Sequence, residues 1–86
     1  MTLTTKVGQP VGIILEGGRP ARFCWRGERW IVTLATPEDV EFLPVDRTVV
    51  TSWQLHAQTE SQDDVADLVV RRSTDTGWVI ESATFS

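Results

Sequence analysis

The sequence predicts an all-β domain, with at most one short helix, built as a six-stranded antiparallel meander curled into a partly open barrel of SH3-like or OB-like type. Three observations point there. Short apolar runs recur along the chain, turn residues separate them, and apolar and polar positions alternate within them. The 86 residues suffice for one domain and are too few for two, so 1–86 is read as a single unit. Four Trp and three Phe, with many Val, Ile and Leu, can fill a core without a metal or a disulfide.

Residues 1–9, interrupted by Lys6 and Gln9, are expected to form a flexible N-terminal segment. The first strand is read at 11–16, entered from Pro10 and stopped by Gly17-Gly18. The second and third, 21–25 and 29–35, form a hairpin across Arg26-Gly27. In that register Trp25 faces Glu28, Phe23 faces Trp30 and Ala21 faces Val32. One side then carries Ala21, Phe23, Trp25, Trp30 and Val32, the other Arg22, Cys24, Arg29 and Ile31, so alternation separates an aromatic face from a basic one.

Thr36-Pro37-Glu38-Asp39 interrupts the strand pattern with helix-start signals: a Thr cap, Pro at the first helical position and an acid three residues after the cap. Pro44 forbids a long continuation, so one short helical turn is expected at 37–42. The fourth strand follows at 48–57, with Val49, Thr51, Trp53, Leu55 and Ala57 on one face. Residues 58–64 are polar and acidic and read as a mobile loop. The last two strands, 65–72 and 78–85, are linked by Thr74-Asp75-Thr76-Gly77, with Gly77 in the left-handed position. That register sets Arg72 opposite Ile80 and Arg71 opposite Glu81, an ion pair, and puts Leu68, Val70, Trp78 and Ile80 on one face.

No apolar run approaches the ~20 residues of a membrane helix. The single Cys24 allows no disulfide within the chain and suits a reducing compartment, so the protein is expected in the cytoplasm. The net charge of −4 disfavours general nucleic-acid binding, which draws its affinity from clustered cations. The charge is uneven, however. Residues 19–29 hold Arg19, Arg22, Arg26 and Arg29 against Glu28, whereas 38–67 hold eight acids against Arg47.

His56 is the only histidine. A catalytic role needs a partner such as Asp46, Asp67 or Ser52, and nothing local supplies one. Cys24 as a nucleophile needs a base, and the only histidine lies on another strand. Two Cys and His residues in total exclude structural zinc, and Glu60, Asp63, Asp64 and Asp67 lack the spacing of a calcium loop. Gly17-Gly18-Arg19 is a turn rather than a phosphate loop, because no Lys-Ser/Thr follows. No cofactor is expected.

One constellation stands out. Phe23, Trp25 and Trp30 alternate with Arg22, Arg26 and Arg29 on a single hairpin. Aromatic platforms beside arginines bind single-stranded nucleic acid and equally hold peptides. Arg22, Trp25, Arg26, Arg29 and Trp30 are therefore the candidate binding residues.

The run Pro20-Ala21-Arg22-Phe23-Cys24-Trp25-Arg26-Gly27-Glu28-Arg29-Trp30-Ile31-Val32 resembles the Pro-x-Arg-Phe-x-Trp-Arg-Gly hairpin that opens the uncharacterised actinobacterial DUF6504-like proteins. The strands at Leu68-Val69-Val70-Arg71-Arg72 and Gly77-Trp78-Val79-Ile80 are similar to that family's ending. The Trp-Arg pair that usually follows the third strand is absent, and residues 36–45 take its place. The resemblance implies a small β domain associated with error-prone translesion polymerases of the DNA-damage response. The expectation is a non-enzymatic adaptor whose partner is another protein. Single-stranded nucleic-acid binding and a small enzyme using His56 or Cys24 are the alternatives.

Overall fold

Alternating patterns become strands throughout the computed structural model, which describes residues 3–43, 47–73 and 77–85. Seven strands form among them: β1 (Leu3–Val11), β2 (Ile13–Glu16), β3 (Arg19–Trp25), β4 (Glu28–Leu43), β5 (Arg47–Thr59), β6 (Val65–Ser73) and β7 (Gly77–Phe85). They make one antiparallel sheet in the order β1-β7-β6-β5-β4-β3-β2, curled into an open half-barrel. No helix forms among the described residues, so none is long and apolar enough to cross a membrane.

The segment expected to be flexible at 1–9 is, from Leu3 onward, strand β1, paired with β7 from Leu3↔Phe85 to Val11↔Trp78. Its partner lies at the far end of the sequence, which hid the pairing from local patterning. The run at 11–16 is divided at Gly12. Val11 ends β1 on β7, while Ile13, opposite Phe23, begins β2 on β3. The chain from β1 through Gly12 to β2 thus supplies both edges of the sheet, which curls far enough for consecutive strands to occupy them. This division and β1 raise the expected six strands to seven.

The first hairpin has the expected register, with Phe23↔Trp30 and Trp25↔Glu28. Arg26 and Gly27 both take positive φ, 55° and 74°, the two-residue turn whose twist matches the strands. Phe23, Trp25 and Trp30 are buried, and Arg22, Cys24, Arg29 and Ile31 are exposed.

The helical turn expected at 37–42 does not form. Thr36, Pro37 and Asp39 lie in β4, opposite Gln54, Trp53 and Ser52. A single helical turn costs more to nucleate than it returns, whereas extended backbone here pairs with β5. Register shifts between Pro37 and Val40 accommodate the missing Pro37 N–H, as bulges do. The acidic loop is also shorter than expected, because Gln58 and Thr59 belong to β5. The turn after it is tied by Thr59 N–H to the Asp64 carbonyl, Gln62 N–H to the Thr59 carbonyl and Glu60 N–H to the Arg29 carbonyl.

At the β6–β7 hairpin Gly77 has φ +86° as expected, and the linking residues 74–76 lie outside the described ones. The register differs from expectation: Arg71 faces Val79 and Arg72 faces Trp78. A shift between Val69↔Ser82 and Val70↔Ile80 leaves Glu81 as the extra residue on β7. The Arg71–Glu81 ion pair nevertheless forms, Nε to Oε1 at 3.0 Å.

The core lies on the concave face. Leu55, Ala57, Ala66, Val70, Ile80 and Ala83 are fully buried there, and each of the larger ones contributes about 1.5–3 kcal/mol relative to exposure. One end is aromatic. Phe23 stacks on Trp30 at 6.1 Å, and Trp25 lies 5.8 Å from Trp30 and 5.9 Å from Phe85. The Trp25 indole donates to Gln9 Oε1 at 2.9 Å, joining β3 to β1, and the Trp30 indole donates to the Trp25 carbonyl at 3.1 Å.

At the opposite end the sheet narrows. β3 pairs with β4 only as far as Ile31, and β6 pairs with β5 only from Ser52 onward. Residues 39–43 and 47–51 therefore run on as a two-stranded arm, in which Val40 faces Val50 and Phe42 faces Thr48.

Candidate functional site

The hairpin signal singled out in the sequence divides in space. Trp25 and Trp30, at 8% and 1% exposure, point into the core, where both indoles are hydrogen-bonded. Rings this buried present no open stacking surface. Arg26 sits at the turn with its guanidinium 5.6 Å from the Trp25 ring and 5.1 Å from the Phe85 ring, covering the aromatic end of the core. Arg22 and Arg29 alone of the five stand on the convex face.

Sequence reasoning missed a pattern around Arg26. Arg19 lies 5.8 Å from the Trp53 ring and Arg72 lies 6.0 Å from the Trp78 ring. Three of the tryptophans thus carry an arginine at the barrel rim, where a cation over an aromatic face adds roughly 0.5–1 kcal/mol at an exposed site. Of these, only the Arg26-Trp25 and Arg72-Trp78 contacts join nearby strand ends. The Arg19-Trp53 contact crosses from β3 to β5 and has no local signal.

Arg22 and Arg29 border a groove of about 650 Å³ on the convex face of β2, β3 and β4. Ile14, Phe23, Cys24, Trp30, Ile31 and Glu60 also line it. Register explains the grouping. Ile14 faces Arg22, Arg22 faces Ile31, and Cys24 faces Arg29, and cross-strand partners share a face. Ile14 and Ile31 are 54% and 37% exposed, so the Arg22 side chain rises between two apolar neighbours. Gly12 lies at the margin, where the N-terminal chain leaves β7 for β3.

The groove arginines already meet carboxylates. Arg22 Nη2 lies 3.2 Å from Glu16 Oε1, and Arg29 Nη1 lies 3.9 Å from Glu60 Oε2. All four side chains are more than half exposed, and such pairs contribute only about 0–1 kcal/mol. Each guanidinium has five N–H donors in a planar fork, so both keep capacity for an incoming anion.

His56 does have a partner. Its Nδ1 is 2.6 Å from Asp67 Oδ1, directly across the β5–β6 ladder, and both side chains are about half exposed. Cys24 is exposed on β3 opposite Arg29, whereas His56 is on β5 opposite Leu34. The two do not share a site. Among the described residues no three His, Cys, Asp or Glu side chains gather to hold a metal.

No family model, curated protein or solved structure matches the chain, and the likeness of its first hairpin to the DUF6504-like proteins stands on the quoted residues alone.

Proposed function

We propose that the chain is a non-enzymatic protein-interaction module that holds an acidic, apolar segment of a partner protein across the convex face of β2–β4. The observation that carries this reading is the placement of Arg22 between exposed Ile14 and Ile31 in the groove, with Arg29 beside it. Apolar floor excludes water, and guanidinium groups pair carboxylates in a planar, two-point geometry. The pairs to Glu16 and Glu60 are exposed and weak, so a partner carboxylate replaces them at little cost.

Single-strand nucleic-acid binding is the less favoured reading. It calls for exposed aromatic rings on the binding face, and although Phe23 and Trp30 line the groove, Phe23, Trp25 and Trp30 are only 3%, 8% and 1% exposed. The net charge of −4 also opposes it. A small enzyme using His56 or Cys24 is the other reading: His56 pairs with Asp67 at 2.6 Å outside the groove, and Cys24 lies in the groove opposite Arg29, with no histidine on its own or the facing strand.

Affinity capture from the native host, followed by mass spectrometry, tests the proposal. A partner held by the wild type should be lost, by about tenfold or more, from the double variant Arg22→Ala/Arg29→Ala, with the circular dichroism spectrum unchanged. Undiminished capture by that variant rejects the reading. The DUF6504-like resemblance directs attention to error-prone polymerases and their accessory proteins among the captured partners.

A further inference from the structure

We propose that Glu16 and Glu60 are built-in competitors at the groove, an autoinhibitory pair that sets how tightly it holds a partner's carboxylates. The inference rests on the groove being a binding surface for an acidic, apolar segment, and it adds the regulation of that same site.

Each groove arginine meets one acid, and the two acids arrive from different parts of the chain. Glu16 ends β2, two residues beyond the Ile14 that faces Arg22. Glu60 follows β5, and its N–H donates to the Arg29 carbonyl at 2.8 Å. The contacts run from Arg22 Nη2 to Glu16 Oε1 at 3.2 Å and from Arg29 Nη1 to Glu60 Oε2 at 3.9 Å. Among the described residues neither arginine pairs with any other acid. The free groove therefore already holds the chemistry proposed for its ligand, a carboxylate beside each guanidinium.

The backbone fixes Glu60 in this place. Thr59 is 1% exposed, and its hydroxyl accepts from Asp64 N–H at 3.1 Å and lies 3.2 Å from the Ser61 hydroxyl. Gln62 N–H closes on the Thr59 carbonyl at 2.8 Å, with Gln62 at φ +67°, a region that few residues other than glycine enter. The turn thus keeps Glu60 on the groove wall. A carboxylate tethered beside its arginine competes at a high effective concentration.

The same contacts are also made to yield. Outside the groove, Arg71 and Glu81 meet at two points, Nε to Oε1 at 3.0 Å and Nη2 to Oε2 at 3.4 Å. The groove pairs meet at one point each, and the Arg29 contact is longer than a hydrogen bond. A partner carboxylate that engages both arms of the fork displaces them. Exposed pairs each shift an equilibrium by up to about fivefold, so Glu16 and Glu60 slow occupation of the groove without blocking it.

Fluorescence anisotropy on the full chain, with a labelled peptide of four Glu-Leu repeats blocked at both ends, tests the proposal. Glu16→Gln/Glu60→Gln should bind the peptide about threefold to tenfold more tightly than the wild type. Glu28→Gln/Glu41→Gln removes the same charge from acids that pair with neither arginine, and should change affinity by less than about twofold. In the Arg22→Ala/Arg29→Ala background, the Glu16 and Glu60 changes should gain nothing. A Glu16→Gln/Glu60→Gln variant that binds no more tightly than the wild type, or than the charge-matched control, overturns the proposal. A gain that survives the loss of both arginines does the same. Failure of the groove itself looks different. The peptide is then ignored by every form, or held equally well without Arg22 and Arg29, and both proposals fall. Unchanged affinity in Glu16→Gln/Glu60→Gln, with binding still lost on Arg22→Ala/Arg29→Ala, leaves the groove standing and removes only the competition.

Discussion

The Arg19 guanidinium donates from Nη1 to the carbonyl oxygen of Ala35 at 3.0 Å, across the gap where β3 no longer pairs with β4. Ala35 is buried, and a buried carbonyl without a partner carries the cost of its lost hydration. The side chain thus takes the place of a strand at the root of the arm. It also lies over Trp53, so one residue closes both the edge and the rim. Arg19→Ala should cost about 1–2 kcal/mol in denaturant unfolding. Hydrogen exchange should quicken in residues 35–43 more than in β6. Equal acceleration in both places would show that Arg19 does not anchor the arm.

Trp30 is the centre of the aromatic end. It is 1% exposed and contacts Phe23, Trp25 and Phe85. Trp30→Ala should lower stability by about 3–5 kcal/mol, through lost transfer energy and the cavity left behind. That is a large part of the total for a domain of this size. Trp30→Phe, which gives up the bond to the Trp25 carbonyl and part of the volume, should cost less. Chemical denaturation ranks the two, and equal losses would argue against cavity formation as the cause.

Gly27 allows a clean measurement of backbone strain. Its φ is +74°, and a Cβ placed there meets nothing within 4 Å. Gly27→Ala should therefore cost only the left-handed penalty, about 1–2 kcal/mol. Thermal unfolding at matched pH reads it. A change near zero would mean that the turn relaxes to another type.

Ser52 is 1% exposed, and its hydroxyl has no hydrogen-bond partner. It lies between Asp39 and Arg71 on the neighbouring strands, where β4 shifts register. Removing an unpaired buried hydroxyl relieves its desolvation cost, so Ser52→Ala should raise stability by about 1 kcal/mol. A loss of that size in denaturant unfolding would show the hydroxyl to be bonded in solution.

Much of the fold was legible wherever the deciding contacts are local. The Arg26-Gly27 turn joins adjacent strands, so alternation alone placed Phe23 against Trp30 and turned Arg22 and Arg29 outward. The Arg71–Glu81 pair was foreseen from a register that does not occur. Glu81 is the extra residue beside a register shift, and its carboxylate reaches Arg71 diagonally. Long side chains tolerate such offsets, whereas Trp78 and Ile80 stay inward because the shift falls after them.

The candidate site was only half legible. Alternation assigned Trp25 and Trp30 to the aromatic face and favoured core over platform, less decisively for Trp25 near the turn. Only the presence of β7, bringing Phe85 against both rings, decided for core. The contribution of Ile14 to the groove required β2 to lie beside β3. The short helix at 37–42 was the clearest misreading, since a cap and a proline are local signals and β5 overrode them.

The sequence by itself determined that this protein is built of antiparallel strands, which faces of its hairpins are apolar, and where its arginines lie along the chain. Those properties follow from alternation and turn chemistry, which act over a few neighbouring residues. Tertiary structure alone decided that β1 pairs with β7, that Gly12 joins the two edges of the sheet, and that β4 and β5 outrun their neighbours to leave Phe42 exposed. Each of these depends on strands distant in sequence meeting as the sheet curls, and the pattern within any one strand carries no record of which strand lies beside it.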